Sequence, residues 1–297
     1  MRIALTGATG YTGTHLTRRL LEAGHTVVDL SNSRRPDPFG LTRHRLTWGE
    51  PTGLAAAVAG CDVLVNTWWV RDPAFGVDHP TAVGLTLQLF AAAQRAGVRR
   101  IVHVSITNPD RGRGLTYFEG KARIEAELAR LPLQTRILRP AVLFGGEDIL
   151  INNLAWALRR SPVFLVPGSG QYRLRPIHVA DFAALLADAC SDTGDRRLID
   201  AVGPESFPFI ELVQTLAGIL NLRRRVITAP AWLPWAGAQF LGRLHGDTLL
   251  TWAEIQGLRR GLLDTSGEAT GATRLTAWAT AERERLGVTY HSERARR

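Results

Sequence analysis

A short apolar segment, Arg2–Thr6, runs straight into Gly7-Ala8-Thr9-Gly10-Tyr11-Thr12-Gly13. An amphipathic stretch follows, expected to be helical from Thr14 to Ala23 and stopped by Gly24. Strand, glycine turn and helix in this order form the opening half of a βαβ unit. In such a turn one glycine permits the tight bend, another lets backbone N–H groups approach a pyrophosphate, and the third lets helix and strand pack closely. The helix N-terminus then presents positive potential to the phosphates. The turn therefore predicts a dinucleotide site built from Gly7, Thr9, Gly10, Tyr11, Thr12 and Gly13.

The pattern beyond the turn keeps alternating. Strands are expected at Thr26–Leu30, Arg45–Trp48, Asp62–Thr67, Arg100–Ser105 and Thr135–Leu138. Helices are expected between them at Leu54–Ala59, Thr81–Ala96 and Tyr117–Arg130. This alternation predicts an α/β fold, a Rossmann-type doubly wound parallel sheet. After Phe144-Gly145-Gly146 the rhythm changes. Helices are expected at Ile149–Arg160, Ile177–Ala189, Phe209–Leu220 and Thr251–Leu263, the last opened by a capping box of Thr251 and Glu254. Between them lie a turn at Gly168-Ser169-Gly170 and, from Leu198, short irregular segments. The expected division is a nucleotide-binding domain at 1–145, with 177–200 returning to it. A smaller, mostly helical C-terminal cap would comprise 146–176 and 201–297 and bind the substrate.

The net charge of +9 raises the question of nucleic acid, but the excess is spread over Arg pairs and a basic tail without an aromatic-basic module. No nucleic-acid partner is expected. The most apolar run, Ala229–Leu241, is short and broken by Pro230, Pro234 and Gly237, so no membrane span is expected. The start of the chain lacks the pattern of a secretory leader. Cys61 and Cys190 lie far apart without metal-ligand spacing, and both are expected as reduced core thiols of a cytoplasmic protein that holds no metal. Of the 36 basic residues only Lys121 is lysine. Where every other basic position is Arg, a single Lys points to a place that guanidinium cannot fill.

The residues after the second strand bear on which dinucleotide is bound. An NAD site ends that strand with an acid for the ribose hydroxyls. Here the position holds Ser31, followed by Asn32, Ser33, Arg34 and Arg35, while Asp29 sits two residues early inside the strand. Hydroxyls and guanidiniums suit a phosphate monoester. Ser31, Ser33, Arg34 and Arg35 are thus expected to favour NADP(H), with NAD(H) as the alternative.

Val102-His103-Val104-Ser105, Tyr117-Phe118-Glu119-Gly120-Lys121 and Ile137-Leu138-Arg139-Pro140 follow the turn in order. Pro176-Ile177-His178-Val179-Ala180-Asp181 and Val202-Gly203-Pro204-Glu205 come later. With these landmarks the chain resembles the short-chain dehydrogenase/reductase superfamily, and within it the extended and atypical NAD(P)-dependent epimerase/dehydratase branch. The resemblance implies that Tyr117 is the acid/base and that Lys121 tunes it and reaches the nicotinamide ribose. It implies a Ser or Thr after the fifth strand that holds the substrate oxygen. That role falls on Ser105 or Thr107, because Ile106 separates them. Thr67, Trp68 and Pro140 would line the cofactor cleft, with Trp68-Trp69 shaping an apolar substrate site or packing in the core. The branch's Asn in the helix before the fifth strand is replaced by Ala82.

Chemistry agrees with these roles. Residues 117 and 121 share one helical face, and an ammonium beside a phenol favours the phenolate. The expected activity is NADP(H)-dependent carbonyl reduction or alcohol oxidation of a small-molecule substrate. The alternatives are a nucleotide-sugar epimerase or dehydratase, supported by Arg173, Arg175, Arg223, Arg224 and Arg225, and a redox-silent dinucleotide-binding protein. A homodimer is left open.

Overall fold

The computed structural model describes residues 1–33, 35–71, 76–192, 194, 197–245, 248 and 250–292. The chain forms two compact units, Met1–Pro140 with Phe182–Asp200, and Ala141–Asp181 with Ala201–Arg297.

The first unit is built on β1 (Arg2–Thr6), α1 (Tyr11–Glu22), β2 (Thr26–Leu30), β3 (Thr42–His44), α2 (Pro51–Val58), β4 (Val63–Asn66), α3 (His79–Arg95), β5 (Arg100–Val104), α4 (Thr116–Leu128) and β6 (Gln134–Pro140). With β11 (Leu198–Ala201) the strands form a seven-stranded sheet in the order β11-β6-β5-β4-β1-β2-β3. The pairs from β3 through β6 are parallel. The chain winds outward from β1 to β3, then returns to the other side of β1 with β4. The order therefore reverses between β1 and β4, the crevice where open α/β sheets take ligands at the carboxyl ends of their strands. Register brings those ends level, with Thr6 beside both Leu30 and Asn66.

The strands are buried on both faces and read as near-continuous apolar runs. Ala4, Val28, Leu64, Ile101 and Ile137 of the sheet pack with Leu54, Val83, Leu89, Phe90, Ile124 and Leu128 of α2, α3 and α4. Each fully buried aliphatic side chain contributes about 1.5–3 kcal/mol. Cys61 and Cys190 are buried free thiols.

The third strand lies at Thr42–His44, not Arg45–Trp48. Leu46, whose apolar character drew the expectation, is buried, but the Asn32 side chain satisfies its backbone: Nδ2 donates to Leu46 O and Oδ1 accepts from Leu46 N–H, both at 2.9 Å. A side chain takes the place of a ladder. The segment from Leu198, expected to be irregular, adds β11 to the sheet edge. Arg197 anchors it, donating to Thr135 Oγ1 and Leu128 O while its carbonyl accepts from Ile137 N–H.

The second unit holds β7 (Leu143–Phe144), α5 (Leu150–Arg160), β8 (Val163–Pro167), β9 (Arg173–Leu174), β10 (Ile177–His178), the start of α6 (Val179–Ser191), β12 (Phe207–Pro208), α7 (Phe209–Ile219), β13 (Arg225–Ala229), α8 (Trp232–His245), α9 (Trp252–Arg259) and α10 (Leu275–Ala281). Its helices are joined by three two-stranded sheets. Phe144, Leu154, Leu158, Leu212, Leu216 and Leu275 form its core. The Thr251–Glu254 capping box is formed in both directions. Among the described residues no helix is long and apolar enough to cross a membrane.

Candidate active site

The glycine turn is shaped by steric necessity. Gly7 has φ +69°, a left-handed conformation, and its carbonyl accepts from Gly10 N–H at 2.9 Å. A Cβ on Gly13 would lie 1.9 Å from Gly7 O, and one on Gly10 would lie 3.1 Å from it. Thr17 Oγ1 donates to Ala8 O and ties α1 to the turn. The helix starts at Tyr11, earlier than the expected Thr14, which brings Tyr11 and Thr12 into its first turn. No side chain caps this helix, and its first turn holds no acid. The helix start therefore presents the positive end of its dipole at the glycine turn. Thr9 is buried in the turn.

At the end of β2, Asp29 is fully buried with both oxygens engaged. Oδ1 accepts from Ala8 N–H at 3.3 Å. Oδ2 accepts from Ser31 Oγ at 2.9 Å and from Arg43 Nε at 2.7 Å. Arg43 goes on to donate to the carbonyls of Ser33 and Arg35. Arg35 N–H donates to Ser33 Oγ, and Arg35 Nη1 reaches Thr9 O at 3.4 Å. Ser31, Ser33 and Arg35 are therefore gathered beside the glycine turn. Arg34 lies outside the described residues. Arg43 was not anticipated; its place follows from the β2–β3 register, which sets it opposite Asp29.

Lys121 and Tyr117 lie one turn apart on α4. The lysine is 2% exposed. Its Nζ donates to Val104 O at 2.7 Å and lies 4.3 Å from the centre of the Trp69 ring. Burial pushes its ammonium down to about 7, opposed only by the carboxylate of Glu125 one turn further along. A solvated lysine is thereby ruled out. The Tyr117 ring meets Trp69 and His79 edge-on at 5.8 and 5.6 Å, and Trp69 stacks on His79. His79 Nδ1 lies 2.8 Å from Thr116 Oγ1. Gly120 leaves room for this cluster, because a Cβ there would meet the Trp69 ring at 2.9 Å. Trp68 packs on Trp48 with ring centres 5.4 Å apart.

Ser105 and Thr107 both stand beyond the end of β5. Their N–H groups donate to Leu138 O and Pro140 O, which fixes Pro140 against them. Among the described residues, Ser105 Oγ is buried without a hydrogen-bond partner. Such an orphan hydroxyl is unusual in a packed interior. Arg139 forms a two-point ion pair with Glu125, Nε to Oε1 at 2.9 Å and Nη2 to Oε2. It thus fastens α4 to β6, a positioning role.

Beneath these groups a polar chain crosses the sheet. Thr67 and Trp68 donate their N–H groups to Thr6 Oγ1, which donates to Asn66 Oδ1. Asn66 Nδ2 lies 3.1 Å from His103 Nδ1. Burial, with the Lys121 charge behind it, holds His103 well below its ordinary 6.5. His79, His103 and Glu125 were missed in the sequence as site components. The i,i+4 spacing of Lys121 and Glu125 was the signal that could have found the last.

Residues 3–107 match the model of the NAD dependent epimerase/dehydratase family. The match takes in about a third of the chain, and over that stretch the chain is similar to this family. The 40 kDa subunit of mitochondrial NADH-ubiquinone oxidoreductase from Neurospora crassa is 26% identical over 241 residues, covering 75% of this chain and 61% of that protein. The chain thus spans less than two thirds of that relative's length. A nucleoside-diphosphate-sugar epimerase from Staphylococcus aureus superposes with a TM-score of 0.77 at 19% identity, covering 94% of this chain and 100% of the other. An NADPH-dependent quinone oxidoreductase from Escherichia coli, solved with NADPH, gives 0.73 at 19% identity over 94% and 99%. At such identities the likeness is one of fold.

Proposed function

We propose that the chain is an NADP(H)-dependent oxidoreductase that interconverts a carbonyl and an alcohol on an apolar small molecule. The observation that carries this reading is Lys121: the single lysine, buried one helical turn from Tyr117, with a backbone carbonyl and an aromatic ring as its company. The residues present fit a nicotinamide dinucleotide. Gly7, Gly10 and Gly13 make a cradle that Cβ atoms would fill, and the uncapped N-terminus of α1 suits a pyrophosphate. Thr9, Tyr11 and Thr12 would surround the phosphates, and Ser31, Ser33, Arg34 and Arg35 the 2′-phosphate. Thr67, Trp68 and Pro140 would border the nicotinamide end, with Lys121 on its ribose.

When bound, the dinucleotide supplies or accepts the hydride. Tyr117 Oη gives its proton to the substrate oxygen in reduction and takes it back in oxidation. Lys121 lowers the cost of the phenolate through its charge. Ser105 is the better holder of the substrate oxygen, since its Oγ has no hydrogen-bond partner among the described residues. Trp68, Trp69 and His79 favour a planar, apolar substrate at the mouth of the crevice.

Nucleotide-sugar chemistry is less well supported. It calls on free arginines for a diphosphate, yet Arg175 is spent on the carbonyls of Gly203, Thr265 and Gly267, and Arg224 on those of Leu158 and Arg159. Arg173 is engaged by Ser206 and Asp264. The test is NADPH oxidation against a panel of ketones, quinones and nucleotide sugars. Net consumption with a ketone or quinone is expected; conversion of a nucleotide sugar without net consumption would refute the proposal.

A further inference from the structure

An acid at the end of β2 would argue for NAD(H), because a carboxylate there accepts from the ribose hydroxyls and repels a 2′-phosphate; Asp29 lies two residues before that position. In this chain the acid is disarmed. Asp29 is fully buried, and its acceptor sites are taken by Ala8 N–H, Ser31 Oγ and Arg43 Nε. The register of β2 and β3 makes Arg43 its cross-strand neighbour, so the pairing is built into the sheet. The same guanidinium extends beyond the acid and holds the carbonyls of Ser33 and Arg35. Arg35 in turn bridges to Thr9 of the glycine turn. One side chain thus cancels the negative charge and fixes the cationic and hydroxyl groups that follow the strand.

We propose that Arg43 is the positioning residue that makes the site choose a 2′-phosphorylated dinucleotide. The inference rests on the reading of the glycine turn as a nicotinamide dinucleotide site. Without Arg43, Asp29 keeps an unpaired charge beside Ser31 and the Ser33–Arg35 backbone loses its tether. NADPH then suffers and NADH does not. Arg43→Lys restores charge without the planar fork, and so recovers part of the preference.

The experiment is a fluorescence titration of the full chain with NADPH and with NADH, alongside thermal unfolding. The proteins are wild type, Arg43→Lys, Arg43→Ala and the pair Asp29→Asn/Arg43→Leu. Wild type is expected to prefer NADPH. Arg43→Ala is expected to lower the NADPH-to-NADH affinity ratio by about tenfold or more, equivalent to about 1.4 kcal/mol. The pair removes the buried unpaired charge, so it keeps the test valid if Arg43→Ala does not fold, and it too should lose the preference. An unchanged ratio in a folded variant, or an equal loss of both ligands, overturns the inference. A wild type that binds both dinucleotides equally also overturns it while leaving the site intact. A wild type that binds neither removes the dinucleotide reading itself.

Discussion

Lys121 in the first unit and Asp148 in the second are both fully buried ionisable groups, and both are pushed toward neutrality. Burial brings the Lys121 ammonium down to about 7 and the Asp148 carboxyl up to about 6. Their surroundings differ in kind. Asp148 accepts from the N–H groups of Gly145, Ile151 and Asn152 and from Asn152 Nδ2, at 2.7 to 3.3 Å. It sits just ahead of α5 and satisfies donors that the helix start leaves over. Lys121 has three N–H donors and, among the described residues, one hydrogen-bond acceptor, Val104 O. A structural group is surrounded until its needs are met. On the proposed reading Lys121 is held for chemistry, and it keeps capacity in reserve at a cost in stability.

The largest effect that would break this contrast lies at Tyr117. Tyr117→Phe should lower turnover by roughly 10²-fold or more, the usual contribution of a general acid. Binding of NADPH should persist. Steady-state rates with an accepted carbonyl substrate, paired with a cofactor titration, check it; full turnover in the variant would remove Tyr117 from its role.

Removing Asp148 should act on stability. Asp148→Ala leaves several helix-start donors unmet and should cost roughly 2–4 kcal/mol, a lost cap together with buried donors left unsatisfied. Urea unfolding measures it. A loss below about 0.5 kcal/mol would mean that the α5 start draws little from its acid.

The pH dependences sharpen the contrast further, because their signs differ. The folded pKa of Lys121 lies below its ordinary 10.5, so the unfolded chain binds the extra proton between about 7 and 10.5, and stability from this group rises with pH across that window. The advantage of Lys121→Met should therefore shrink as pH rises above about 7. The folded pKa of Asp148 lies above its ordinary 3.8, so its stabilisation is present at low pH and lost as pH rises toward about 6. Asp148→Asn should flatten that part of the curve. Unfolding midpoints across pH test both, and parallel curves for variant and wild type would refute the assignments.

Much of this was legible from residue order, and what escaped depends on contacts distant in sequence. β1 and β2 fall where their apolar runs and flanking glycines place them. The uniqueness of Lys121 marked its position before any geometry. The third strand was misplaced because Asn32 closes the backbone of Leu46 from 14 residues away. β11 escaped because four residues carry no periodicity of their own and owe their strand to a neighbour, β6, some 60 residues earlier. The disarming of Asp29 was equally hidden. An acid inside a strand reads as an anomaly until the register supplies Arg43.

On the proposed reading, Lys121 is kept buried for a ligand and not for the fold. Unfolding of wild type and Lys121→Met at pH 7, each with and without saturating NADPH, tests it most directly. The variant alone is expected to be more stable than wild type, and NADPH is expected to raise the midpoint of wild type far more than that of the variant. A variant that is less stable and yet stabilised equally by NADPH would contradict it.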